Sequence, residues 1–294
     1  MKLAIHNWMR AESIEQTVDR IARIGYEYLE IQGTPESYDT KKVKKVLDDA
    51  GVKCWGSVTL MLEQRNLLAK DSAQRAISVQ YVKDVVTMVK ELDGHMVSVV
   101  PSTVGKVVPE DRPEEDWKRA VESMQEVYEY SESLGIKLGI EPINRFETYF
   151  INRGDQALTL AKAVGENCGV CLDAFHMNIE EEHIYNAILR ARGRLVGFHV
   201  ADNNRMAPGM GTLDWQSIIA TLHEIGYDDV LSVEFCSPLD RTPANPYPNS
   251  IEENQEGLSA EQKKFLEDHG SSSVTEEFYS MLTQKSSDTL RPMC

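Results

Sequence analysis

The chain has 294 residues, 41% of them hydrophobic and 27% charged, with a mean hydropathy of −0.38, which excludes a disordered chain and a disulfide-held miniprotein. Acidic residues outnumber basic ones by 47 to 31, giving a net charge of −16, so nonspecific nucleic-acid binding would oppose the chain's own field. There is no run of 18 apolar residues of the kind that spans a membrane as a helix.

The first eight residues lack the apolar core of a signal peptide and read instead as a first strand over Leu3 to Trp8. A helix is predicted over 13–24, with Ile14, Val18, Ile21 and Ala22 along one face. A strand at 28–31 and a Lys-rich helix near 40–51 follow. The third strand, 52–58, precedes a long helix over 71–92; the fourth, 96–100, is stopped by Pro101 and leads to a helix over 113–134. The second half repeats the pattern: strand 136–140, helix from Gly154 to about 164, strand 169–174, an acidic-capped helix over 180–192, strand 195–200, helix 214–225 and strand 230–235.

Eight strands, each followed by a helix or a long connection, are the count of a single (β/α)8 TIM barrel spanning 1–294. Length alone would also suit two domains. A doubly wound sheet uses fewer strands and a Gly-rich first turn, whereas the first turn here, residues 6–10, has no glycine, and no P-loop is present. Residues 237–273, rich in Pro and then in acidic residues, form a long loop after strand 8, read as a lid or partner contact over the mouth; a terminal helix is predicted within 274–285. The five scattered cysteines, Cys54, Cys168, Cys171, Cys236 and Cys294, suggest reduced thiols in the cytoplasm. Cys168 and Cys171 lack the second pair a zinc site needs.

The chemistry gathers at the ends of the late strands. Strand 5 ends in Ile140-Glu141, strand 6 in Leu172-Asp173, strand 7 carries Phe198-His199 and strand 8 ends in Val233-Glu234, with spacings of 32, 26 and 35 residues, about one βα unit each. In a barrel these four converge at the C-terminal mouth, where active sites are built. Three carboxylates and an imidazole in one cavity cannot all be charged and unpaired, and a divalent cation resolves the repulsion. The mixed oxygen and nitrogen donors suit Mn²⁺, Co²⁺ or Mg²⁺ better than structural Zn²⁺. Beside them, the loops at Asn144-Arg145-Phe146-Glu147, Phe175-His176-Met177-Asn178 and Asp202-Asn203-Asn204-Arg205 offer hydrogen-bonding groups with little net positive charge for a phosphate; Arg205 is suited to hold a hydroxyl, a carbonyl or one anionic oxygen. His176, three residues past a predicted ligand, is a substrate or supporting donor.

The segments 141–147, 172–181 and 198–209 resemble the D-tagatose 3-epimerase/D-allulose 3-epimerase family of the xylose-isomerase-like barrels, over about residues 1–235. That resemblance implies Mn²⁺ or a similar ion on Glu141, Asp173, His199 and Glu234. It implies that Glu141 and Glu234 are also the acid/base pair, and that Glu147, His176 and Arg205 hold the oxygens near the reacting carbon. It further implies proton transfer beside a keto-sugar carbonyl through an enediolate, and assembly as a homo-oligomer. The ends of strands 3 and 4, around 56–60 and 99–103, and the loop after Glu234 depart from that family. The substrate is therefore less defined than the chemistry, and a glycoside could stand in place of a free hexose.

Three alternatives stand beside this reading. Related barrels pair with a small second subunit and eliminate an aglycone from a 3-oxo-glycoside, so a lyase is the main one. A sugar-binding barrel without catalysis is the second, against which both glutamates are present. A metal-dependent nuclease is the third, and the seven histidines and the charge of −16 argue against it.

Overall fold

The computed structural model describes residues 1–251, 263 and 273–294. Eight parallel strands close into a barrel in sequence order, β1 (Lys2–His6), β2 (Tyr28–Gly33), β3 (Lys53–Thr59), β4 (Met96–Val99), β5 (Lys137–Ile140), β6 (Gly169–Asp173), β7 (Leu195–Val200) and β8 (Val230–Val233), with β8 pairing back onto β1. Much of the expected loop 237–273 lies outside the described residues.

Between the strands lie α1 (Ile14–Ile24), α2 (Thr40–Ala50), α3 (Ser72–Glu91), α4 (Pro113–Leu134), α5 (Gly154–Val164), α6 (Ala174–Glu180), α7 (Ile184–Arg190) and α8 (Trp215–Glu224); α9 (Glu276–Leu290) closes the described chain. None of these is long and apolar enough to cross a membrane. Local chemistry sets their ends. Ser13 and Gln16 form a capping box before α1, Asp39 and Asp71 accept backbone N–H groups at the starts of α2 and α3, and Pro113 opens α4.

Two elements differ from the sequence reading. The helix expected over 180–192 is the shorter α7, Ile184–Arg190, and an unexpected short helix, α6, precedes it, because the Asp173 carboxylate caps a first turn directly after β6 by accepting from His176 N. The terminal helix runs to Leu290 rather than 285. Leu282, Ser286 and Leu290 are buried along it, and a proline, Pro292, comes only after its end.

Alternation along the strands divides the interior in two. Outward residues such as Leu3, Ile5, Leu29, Val97, Leu138, Leu172 and Leu231 pack in the main core between sheet and helices. Inward, at the N-terminal end, Ala4, Trp55, Met96, Cys171 and Val230 form a separate apolar plug. Two strand irregularities serve it. Register passes from Leu29↔Cys54 to Glu30↔Gly56, so Trp55 is the extra residue of β3, and the shift in the β6–β7 pairing sets Val196 against the same plug. Room for the indole comes from glycine: a Cβ on Gly197 would lie 2.6 Å from Met96 Cε and 3.2 Å from Trp55 Cη2.

The barrel is also tied across its seam. Buried Arg20 donates two bonds to Glu12 and lies 4.9 Å over the Tyr279 ring, joining α1 to α9. Because the plug supports everything above it, Trp55→Ala should destabilise the fold by about 3–5 kcal/mol, read from denaturant unfolding. An unchanged midpoint would show that the plug is not structural.

Candidate active site at the barrel mouth

Further toward the C-terminal end, the inward positions turn polar. Pairing sets His6 opposite Glu30, Asp173 opposite His199 and His199 opposite Ser232. Glu141 and Glu234 stand one residue past β5 and β8, and their backbone N–H groups continue the ladder to Val99 O and Val200 O. The barrel thus brings together Glu141, Asp173, His199 and Glu234, all buried, with one ligand atom from each within 4.8 Å of the others. His199 Nδ1 lies 2.9 Å from Glu141 Oε1 and 3.1 Å from Glu234 Oε2, and Ser98 donates to Glu141 Oε2 at 2.6 Å.

Charge in this cluster is unevenly shared. Burial, then the neighbouring Glu234, pushes the Asp173 carboxyl well above its usual range. Burial also works against ionising Glu234, yet His6 and His199 together hold it below the usual range. Burial disfavours the His199 cation, but the Cys171 sulfur and the surrounding carboxylates raise it well above an ordinary imidazole. Protons are thus held most readily on Asp173 and His199. A divalent cation can replace them, since three carboxylates and one imidazole nitrogen converge from four strands.

Two residues of this polar layer were not singled out from the sequence, His6 and Glu30. Both are fully buried; Glu30 Oε2 lies 3.3 Å from His6 Nε2, and Glu30 Oε1 lies 3.3 Å from His199 Nε2. Glu30 thus occupies the ε side of the His199 ring and leaves the δ nitrogen to Glu141 and Glu234, the arrangement by which a carboxylate orients a ligating histidine. The signal was present, an acidic residue in the middle of the strand Tyr28-Leu29-Glu30-Ile31, at an inward position. Cys171 touches the same nitrogen at 3.3 Å; burial pushes its thiol up to about 12, and Cys168 and Cys171 are both free.

Above the four lies a chamber of about 50 Å³ whose walls include Trp8, Leu60, Met61 and Val104 on one side and Glu141, Glu147, His176, Arg205 and Glu234 on the other. The sequence-predicted second group is therefore gathered at one place. Asn144 N donates to His176 Nδ1, so the imidazole proton sits on Nε2; burial and Arg205 lower the His176 pKa against the pull of Glu147. Arg205 donates to Glu147 Oε1 at 3.0 Å, and its guanidinium lies 4.8 Å over the Phe175 ring. Arg145, from the same motif as Glu147, turns to Glu180 instead.

Asp202 organises the loop that aims Arg205. Its carboxylate accepts from Asn203 N, Gly209 N, Leu213 N and Trp215 Nε1, while Arg205 adopts a left-handed φ of 60° and its carbonyl accepts from Cys236 N. Burial raises the Asp202 pKa, but those donors outweigh it and the net shift is downward. Asp202→Asn should destabilise by about 1–3 kcal/mol at neutral pH. Because the folded pKa is depressed, wild type loses this advantage as pH falls through the acid range, so the two proteins should converge there in urea unfolding. Separately, Glu30→Leu should weaken divalent-cation binding 10- to 100-fold in calorimetric titration, with Glu30→Gln retaining more of it. Equal affinities would remove Glu30 from the site.

The chain matches the family model described as xylose isomerase-like TIM barrel over residues 18–268. It is 31% identical over 227 residues to a D-psicose 3-epimerase of Ruminiclostridium cellulolyticum, covering 74% of this chain and 76% of that one. It is 28% identical over 240 residues to an L-ribulose 3-epimerase of Mesorhizobium japonicum, covering 79% and 80%. Among solved structures, the D-psicose 3-epimerase of Clostridium cellulolyticum H10 with D-tagatose superposes with a TM-score of 0.82 at 25% identity, covering 100% of this chain and 99% of that one. The relatives are epimerases, hence isomerases, and this chain belongs with them to the ketose 3-epimerase family of the xylose isomerase-like TIM barrels.

Proposed function

We propose that this protein is a metal-dependent ketose 3-epimerase in which Glu141 and Glu234 carry the protons and Glu141, Asp173, His199 and Glu234 ligate the metal. The observation that carries the reading is the placement of two buried carboxylates, from β5 and β8, at 2.9 and 3.1 Å from one imidazole nitrogen beside a partly apolar chamber. A bound divalent ion, Mn²⁺ in this proposal with Co²⁺ or Mg²⁺ able to replace it, polarises the substrate carbonyl and the adjacent hydroxyl and acidifies the C–H between them.

The protein's own groups do the rest. One of the two glutamates, Glu141 or Glu234, takes that proton as a carboxylate and leaves an enediolate; the other, protonated beforehand, returns a proton to the opposite face, and the centre inverts. Ser98 donates to Glu141 Oε2 and fixes its orientation. His176 offers its Nε2–H, and Arg205, braced by Glu147, its guanidinium, to the oxygens flanking the reacting carbon. Trp8, Met61 and Val104 exclude water and so strengthen each of these interactions.

Residues 237–273 fit a lid within this reading, since Cys236 N, at the root of the segment, bonds to Arg205 O. Homo-oligomeric assembly and a cytoplasmic location complete the proposal.

In D₂O, the Mn²⁺-loaded protein should place deuterium at C3 of D-fructose, D-tagatose or D-allulose and form the 3-epimer. Chelation should abolish both, and Mn²⁺ should restore them. Glu141→Gln and Glu234→Gln should each keep part of the metal affinity and lose at least ~10²-fold in turnover. Full turnover in both variants would overturn the two-glutamate mechanism.

A further inference from the structure

Outside the reaction chamber, a groove of about 800 Å³ runs between the loops that follow β3 and β4. The chamber itself measures about 50 Å³, well below the roughly 300–1,000 Å³ of small-molecule pockets. Chamber and groove adjoin, with Leu62, Val104, Glu147 and Arg205 lining both. We infer that the substrate is a neutral keto-sugar bearing a second glycosyl unit, with the reacting end in the chamber and the second ring in this groove. The inference rests on the epimerase reading above and names its substrate class.

The groove is preformed. Val104 N donates to Met61 O at 2.7 Å, Thr103 Oγ1 to Arg65 O at 2.8 Å, and Gly105 N to Glu147 O at 2.8 Å, so the two loops are bonded to each other and to the loop that carries Glu147. Across the floor, Gln74 Nε2 donates to Gln64 O at 2.7 Å. A wall fixed in this way binds without first having to be ordered.

Its chemistry selects against a phosphate. Among the described residues, the lining carries two cations, Lys106 and Arg205, against three carboxylates, Glu63, Glu110 and Glu147. Both cations are already committed, Lys106 to Glu110 and Arg205 to Glu147. A phosphate ester would enter a site of net negative charge without an uncommitted cation to receive it. The Gln64 amide, the second Nε2 proton and amide oxygen of Gln74, and the Thr103 hydroxyl oxygen, whose own proton goes to Arg65 O, instead offer neutral donors and acceptors of the kind that sugar hydroxyls use.

The test uses the Mn²⁺-loaded full chain in D₂O and reads deuterium entry at C3 of four ketoses: D-fructose, D-fructose 6-phosphate, isomaltulose (a glucosyl group on O6 of fructose) and lactulose (a galactosyl group on O4). At least one disaccharide should exceed fructose in kcat/KM by about tenfold, the worth of one or two hydrogen bonds, and the 6-phosphate should fall below fructose. Gln64→Trp, which fills the groove, should return the disaccharide-to-fructose ratio toward one. Exchange with fructose but with neither disaccharide overturns the substrate class and leaves the epimerase reading standing, as does a preference for the phosphate. Exchange with none of the four overturns both. A change in solution mass for Gln64→Trp with an unchanged ratio would assign the groove to a second copy of this chain and overturn the inference.

Discussion

Keeping ionisable groups out of water at the centre of a barrel is the condition on which this structure depends. A lone buried carboxylate costs several kcal/mol, so each one needs a partner or a proton. The chain meets the condition with alternating acid and imidazole that meet inside the barrel. Glu30 lies between His6 and His199, and His199 between Glu30 and the pair Glu141 and Glu234. What remains unbalanced is concentrated on Asp173, where the proposed cation would complete the set.

The apolar half of the barrel makes that polar half tenable. Below the charged layer, Trp55 and Met96 fill the axis where most barrels stack branched aliphatics, and glycines on facing strands give them space. Above it, the loops are fixed by buried side chains bonded to backbone: Asp202 for the segment that bears Arg205, and Asn144, whose Oδ1 accepts from Phe146 N, for the one that bears Glu147. The proposed reacting groups thus stand on strand ends, and the groups proposed to hold the substrate stand on bonded loops.

Sequence and structure agree most closely where period and spacing carry information. The alternation of short β-branched runs with helical stretches gave eight βα units, and an acid or histidine recurring once per unit at a strand end marked Glu141, Asp173, His199 and Glu234. His6 and Glu30 escaped because their partners are far away in sequence, and because a single acid within a strand looks like a surface position until the register shows it facing inward. The short helix α6 escaped because Asp173 reads as a strand end and acts also as a helix cap. The groove was illegible for a different reason: it depends on bonds between the loops after β3 and β4, such as Val104 to Met61, that no local pattern encodes.

That double use of Asp173 has a consequence for how the site can change. One carboxylate oxygen holds the first turn of α6 by accepting from His176 N, and the other side of the same group faces the cluster. A replacement at position 173 therefore moves the backbone beneath the His176 imidazole at the same time as it alters the donor set. The two functions cannot drift separately. New specificities on this scaffold would arise more readily through the β3 and β4 loops, where a substitution leaves the proposed acid/base glutamates in place, than through the strand ends.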